Sequence, residues 1–108
     1  MTSLEIPRFA VELRPERSRV VLAVTGELDV ATVGDVKAEL DGLRATGWED
    51  IVVDLRGVSF IDSCGLGLLI SANERARAEG WRLWLLDGAP AIDRMLEVTG
   101  LTDRFRPA

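Results

Sequence analysis

The sequence predicts an α/β domain built on a mainly parallel sheet, and three observations carry that prediction. Continuous apolar runs recur at "VVLAV" (Val20 to Val24), "IVVDL" (Ile51 to Leu55) and "RLWLL" (Arg82 to Leu86), each of strand length. The segments between and after them instead place apolar residues three and four apart, the period of a helix lying on a core. Strands that alternate with helices in one chain pair in parallel through right-handed crossovers.

The elements run in order along the chain. Phe9, Val11 and Leu13 alternate with other residues, so the first strand is half-buried and lies at an edge. "PERS" (Pro15 to Ser18) turns it back onto Val20–Val24 as an N-terminal hairpin strand. The continuous runs are those expected of strands covered on both faces. After Gly26 the period changes, and Asp29 is placed to cap a helix that turns Val33, Val36, Leu40 and Leu43 inward, with Gly47 closing it. Ile51–Leu55 is the next strand. Asp62 and Ser63 both offer caps for a helix running to Gly80, and Arg82–Leu86 comes next as a buried strand. A last helix starts near Pro90, a residue suited to a first turn, and carries Ile92, Met95 and Leu96 inward. Gly100 as a left-handed stop brings Leu101 within reach of Leu96. "RFRPA" ends the chain as a short extension. The predicted order is β-β-α-β-α-β-α in a single domain over residues 1–108, with its core at about 9–105 and no linker or repeat.

Composition removes whole classes of function. The 108 residues are 47% hydrophobic and 29% charged, ordinary for one globular domain with a core of its own. The formal net charge is −5, and Lys and Arg form no cluster, so no nucleic-acid partner is expected. One cysteine, Cys64, allows no internal disulfide and fits a reducing compartment. The N-terminus lacks the build of a secretion signal, and no apolar run nears the roughly 20 residues that span a bilayer. A cytoplasmic protein without direct membrane contact is expected. Histidine is absent, which excludes Ser-His-Asp and Cys-His catalysis. A Cys/His zinc site is excluded with it. No cofactor and no metal site are expected, and the chain is not read as an enzyme.

The stretch "FIDSCGLG" (Phe60 to Gly67) concentrates whatever chemistry remains. Its plainest reading is structural: Asp62 and Ser63 cap a helix, and Gly65 and Gly67 let that helix pack closely on a strand. A nucleophile elbow would need a glycine where Ile61 stands. A dinucleotide fingerprint would need one at Ile70, and a phosphate-binding loop would need a lysine that is missing. Cys64 is read as a small buried residue, since Asp62 beside it would repel a thiolate. A third reading is modification. A serine at the junction of strand and helix can be presented to a kinase, and a phosphate there would meet unpaired backbone N–H groups at the positive end of the helix. It would add roughly −1.5 to −2 charges. In the helix after this serine, Leu66, Leu69, Ile70 and Ala76 share one side, while Leu68 falls near the polar flank.

Three segments, "VTGELDVATVGDVKAEL", "IVVDLRGVSFIDSCGLGLLI" and "VTGLTDRF", resemble a stand-alone STAS domain of the anti-sigma factor antagonist type from about Phe9 to Phe105. The stretch D-L-x-x-V-x-F-[IM]-D-S-x-G-L is the specific part. The resemblance implies a small α/β fold and a partner-switching regulator of transcription, of the kind used in stress responses. Dephosphorylated, such an antagonist binds an anti-sigma factor that is also a serine kinase of the histidine-kinase-like ATPase fold, and the sigma factor is freed. Phosphorylation of the motif serine, here Ser63, prevents binding, and a serine phosphatase restores it. Asp62 matches the motif acid, and Asp29 matches a position near that serine. Cys64 stands where Ser or Thr is frequent, so no neighbouring hydroxyl competes for the phosphate. The implied partner face comprises Asp29, Asp62, Ser63, Cys64, Gly65, Leu66, Gly67 and Leu68. Similar domains also serve unmodified in membrane lipid-transport or stress-sensing complexes, and nucleotide binding near Asp29 and Ser63 is a further alternative.

Overall fold

The computed structural model describes residues 8–86, 88, 90–101 and 105–108. A five-stranded sheet is built from β1 (Ala10–Pro15), β2 (Val20–Leu28), β3 (Asp50–Ile61), β4 (Arg82–Leu86) and β5 (Arg106–Pro107), in that spatial order. β1 runs antiparallel to β2, and the other pairs are parallel. The connecting helices are α1 (Val33–Ala45), α2 (Ser63–Glu79) and α3 (Pro90–Val98). The predicted order holds, with one addition: the closing "RFRPA" contributes a fifth strand, two residues long, beside β4.

Because strand order matches chain order, right-handed crossovers place α1 and α2 on one face of the sheet, where they pack against each other. The core is correspondingly one-sided. Val20, Leu22 and Val24 of β2, Ile51, Val53 and Leu55 of β3, and Leu83 and Leu85 of β4 join Val36, Leu40, Leu43, Leu69 and Ala76 of the helices in a single cluster. Ile92 and Leu96 of α3 belong to it, and Met95 packs against it. Val21 and Val52 are also buried but lie outside the cluster. They sit in a cross-strand row that reads Arg14, Val21, Val52, Trp84, Arg106. The unbroken apolar runs therefore reflect helices on one face only; the row on the other face ends in arginines, with Arg106 stacked over the Trp84 ring.

Two acids hold that second face. Asp50 accepts a fork from Arg82 at 2.6 and 2.7 Å and the Trp84 indole N–H at 3.0 Å. The Arg82 fork, more than the indole, lowers its carboxyl to about 2. Asp54 is buried and accepts from Arg14 and from both the backbone and the side chain of Arg56. Burial alone would raise its carboxyl, but the Arg56 and Arg14 charges hold it below the usual carboxylate value.

The C-terminal stops of α2 and α3 follow the sequence. At the end of α3, Leu101 N–H reaches Leu96 O at 2.8 Å and Gly100 N–H reaches Glu97 O at 3.1 Å, the two bonds of a Schellman stop, with Gly100 at φ +71°. α2 ends at Gly80 as expected, and that residue takes the left-handed conformation. β3 is the main surprise, since it runs twelve residues rather than the five of its apolar run. Its pairing with β2 slips twice, between Ala23 and Thr25 and between Gly26 and Glu27. At the second slip β3 advances from Val58 to Phe60 while β2 advances by one residue, leaving Ser59 as an extra residue. Such a bulge inverts the facing of the residues beyond it. Val58 and Ile61 are buried, and Phe60 is turned outward at 49% exposure.

Candidate functional site

The site lies at the carboxyl ends of β2 and β3, the edge of an open α/β sheet where ligands characteristically bind. Ile61 pairs with Leu28 at the last rung, so the chain leaves both strands at the same level. Asp62 N–H bonds Leu28 O at 3.2 Å and fixes the two exits together.

Asp62 is the N-cap of α2. Its Oδ1 accepts the backbone N–H groups of Cys64 at 2.9 Å and Gly65 at 3.0 Å, satisfying donors that a helix start leaves orphaned. Its Oδ2 accepts Val30 N–H at 3.2 Å. One carboxylate thus closes the start of α2 and holds the β2–α1 loop against it. Ser63 does not share in the capping. It is the first helical residue and exposed, and among the described residues its hydroxyl makes no hydrogen bond. Two of the N–H groups expected to receive a phosphate are likewise taken, since Asp62 already occupies those of Cys64 and Gly65.

Asp29 lies in the same loop but does not cap α1 as the spacing predicts. The residue before α1 is Thr32, which makes no side-chain cap. Asp29 closes a turn instead: its Oδ1 accepts Ala31 N–H at 3.0 Å and its backbone carbonyl accepts Thr32 N–H and Val33 N–H. The Thr32 hydroxyl donates to Glu27 O and receives Asp29 N–H. An acid after a strand can form such a turn or a helix cap, and periodicity alone does not separate them.

The two glycines of the motif differ. Gly65 is buried, and a Cβ there would meet Ile61 Cγ1 and Leu28 O at 2.6 Å, so it is the close-packing glycine of the plain structural reading. Gly67 is exposed, and a Cβ on it would meet nothing within 4 Å. Packing does not require it. Cys64, read from the sequence as buried, is exposed. Cys64, Gly67 and Leu68 line an open groove of about 340 Å³ between α2 and α1, whose apolar wall is completed by Val33, Leu40 and Ala72. Leu68, placed near the polar flank of its helix, is half-buried against the core from that groove, and Leu66 is half-buried on the other side of the helix.

Two residues at this edge escaped sequence reasoning. Val30 is 73% exposed and Phe60 49%, and both adjoin Asp62, one through its hydrogen bond and one through the chain. Val30 had no place in any period, and Phe60 would be buried by unbroken alternation from Val58. Only the bulge at Ser59 explains its outward aim.

Comparison with known proteins agrees with this fold. Residues 11–107 match the family model described as "Mlab, STAS domain". An anti-sigma-B factor antagonist of Staphylococcus aureus (strain NCTC 8325 / PS 47) is 40% identical over 80 residues, 74% of each chain. The solved structure of the anti-sigma factor antagonist SpoIIAA in its unphosphorylated form superposes with a TM-score of 0.75 at 28% identity, covering 92% of this chain and 88% of that one. The phosphorylated form of SpoIIAA, a Bacillus cell fate determinant, gives 0.70 at 28% identity, with 92% and 91% covered. Together these matches place the chain in the STAS domain family, among relatives named anti-sigma factor antagonists.

Proposed function

We propose that this chain is an anti-sigma factor antagonist whose binding is switched off by phosphorylation of Ser63. The observation that supports this most is the division of labour at the start of α2. Asp62 carries the whole cap, so Ser63 stands exposed with its hydroxyl uncommitted. A relative known in both unphosphorylated and phosphorylated forms, and similar over most of its length, supports the same reading.

In the forward step the Ser63 Oγ attacks the γ-phosphorus of ATP held by the partner kinase, the bond to the β-phosphate oxygen breaks, and ADP leaves. The hydroxyl proton passes to a group of the kinase. The product carries roughly two negative charges beside the Asp62 and Asp29 carboxylates. Two of the N–H donors that would neutralise a phosphate at a helix start, those of Cys64 and Gly65, are held by Asp62, so the charge is met only in part. A partner that packs there must then desolvate a dianion with little compensation. Binding is lost by charge and bulk, while the fold keeps its cap. A serine phosphatase restores the binding form. The partner face takes in Asp29, Ser63, Cys64, Leu66, Gly67 and Leu68, with Asp62 and the buried Gly65 setting its shape.

The test is to incubate wild type and Ser63→Ala with the cognate kinase and ATP, tracking intact mass and sigma-factor release together. Wild type is expected to gain one phosphate and lose antagonist activity, and Ser63→Ala to do neither. Equal sensitivity of the two proteins would contradict the assignment.

A further inference from the structure

The groove between α1 and α2 is open because of two glycines. Gly34 lies on α1 and Gly67 on α2, both line the groove, and a Cβ on either would meet nothing within 4 Å. A glycine in a helix is unfavourable relative to alanine, and here neither packing nor a positive φ calls for one. A glycine in such a place leaves room for another molecule's backbone or bulk to approach. The groove begins at Cys64, the residue after Ser63, so whatever fills it lies beside the modified hydroxyl.

Its chemistry narrows the occupant. Val33, Leu40, Leu68 and Ala72 are apolar, and the two charged side chains lining the groove, Lys37 and Arg75, are both cations. The acids that pair with them, Asp41 and Glu79, are not part of the groove lining. Both cations reach out of the groove to Asp41, and Arg75 also to Glu79. The Lys37–Asp41 pair is an exposed i,i+4 contact, of the weak kind that a new carboxylate can exchange into.

We infer that the groove is a docking seat for a helix of the anti-sigma factor, which inserts a bulky apolar side chain over Gly34 and Gly67 and sets a carboxylate against Lys37. This rests on the function proposed above and extends its partner face from α2 onto α1. It also accounts for the reach of the switch: a phosphate on Ser63 stands at one end of the seat, so the apolar anchor and the phosphate cannot be accommodated by one rigid partner.

The groove can be filled without touching Ser63. Gly34→Leu and Gly67→Leu occupy it from either wall. Gly42→Leu is the control, because Gly42 also has open space around it but is not part of the groove lining. All three variants should keep or raise the melting temperature. In titrations with the cognate anti-sigma factor, Gly34→Leu and Gly67→Leu should each weaken binding at least tenfold, and Gly42→Leu should bind as wild type does. If wild type binds and loses binding on phosphorylation, yet both groove variants bind normally, the seat is wrong and the switch stands. If wild type binds no anti-sigma factor, the functional reading fails and the seat with it. A third arm titrates oleate. Saturable oleate binding that both leucines abolish, with partner affinity unchanged, would make the groove a lipid-anion site and overturn the proposal.

Discussion

The acids of the sheet and the acids of its carboxyl edge are treated in opposite ways. Asp50 and Asp54 are each clasped by arginine, and both carboxyls are held below the usual value. Asp29 and Asp62 accept backbone N–H groups, with no arginine or lysine in ion-pair contact among the described residues. The first pair is neutralised locally and serves the fold. The second pair shapes a surface and leaves its negative charge uncompensated. A phosphate added beside Asp50 would find cations at hand, whereas one added on Ser63 stands next to Asp62, which has no cation paired to it among the described residues. The difference teaches where a small covalent change can alter binding strongly while leaving stability nearly untouched.

The contrast can be broken by mutation, and the largest effect should come from the fold side. Asp54→Ala strands Arg14 and Arg56 around a vacated partner and should cost roughly 2–3 kcal/mol, the scale of lost hydrogen bonds to charged groups. Chemical denaturation checks this; a loss below about 0.5 kcal/mol would mean that the arginines re-pair freely with solvent. Gly65→Ala drives a methyl into Leu28 O and Ile61 and should cost about 1–3 kcal/mol. Gly67→Ala, two residues on, should instead stabilise α2 by up to about 1 kcal/mol. Asp62→Ala removes the cap and should cost about 1 kcal/mol, with faster amide exchange at Val30 and Gly65 as its local signature.

The smallest effect concerns acid. Asp50 has its folded value depressed to about 2, so its contribution is fully present above its unfolded value near 3.8 and is lost as pH falls from there through about 2. Asp50→Asn should lower stability at pH 7 and flatten the decline between about pH 4 and 2. An undiminished decline over that range in Asp50→Asn would contradict the role given to the Arg82 fork.

How much the sequence disclosed depends on which signals are local. Apolar periodicity located α1, α2 and α3, and Gly80 and Gly100 marked the ends of α2 and α3, because a helix stop is decided by a few adjacent residues. Asp62 was legible as a cap for the same reason. The length of β3 was not, since Gly57, Val58, Phe60 and Ile61 pair with β2 through two slips that depend on the partner strand. Nor was β5, whose two residues carry no pattern of their own. Asp29 could close a turn or cap a helix, and the choice was made by Thr32 bonding back to Glu27. The exposure of Cys64 and the openness at Gly67 depend on where α1 lies against α2, which no local signal records. The motif thus pointed to Ser63, while the groove beside it became visible only when two helices were set side by side.

The central claim is that phosphate on Ser63 acts at the surface and not through the fold. The most direct measurement pairs a binding titration of the cognate anti-sigma factor with hydrogen exchange, on the unphosphorylated chain and on the chain phosphorylated at Ser63 alone. Affinity should fall at least a hundredfold on phosphorylation, with protection in α2 preserved from Gly65 to Ala78. Unchanged affinity, or affinity lost together with broad loss of protection along α2, would contradict it.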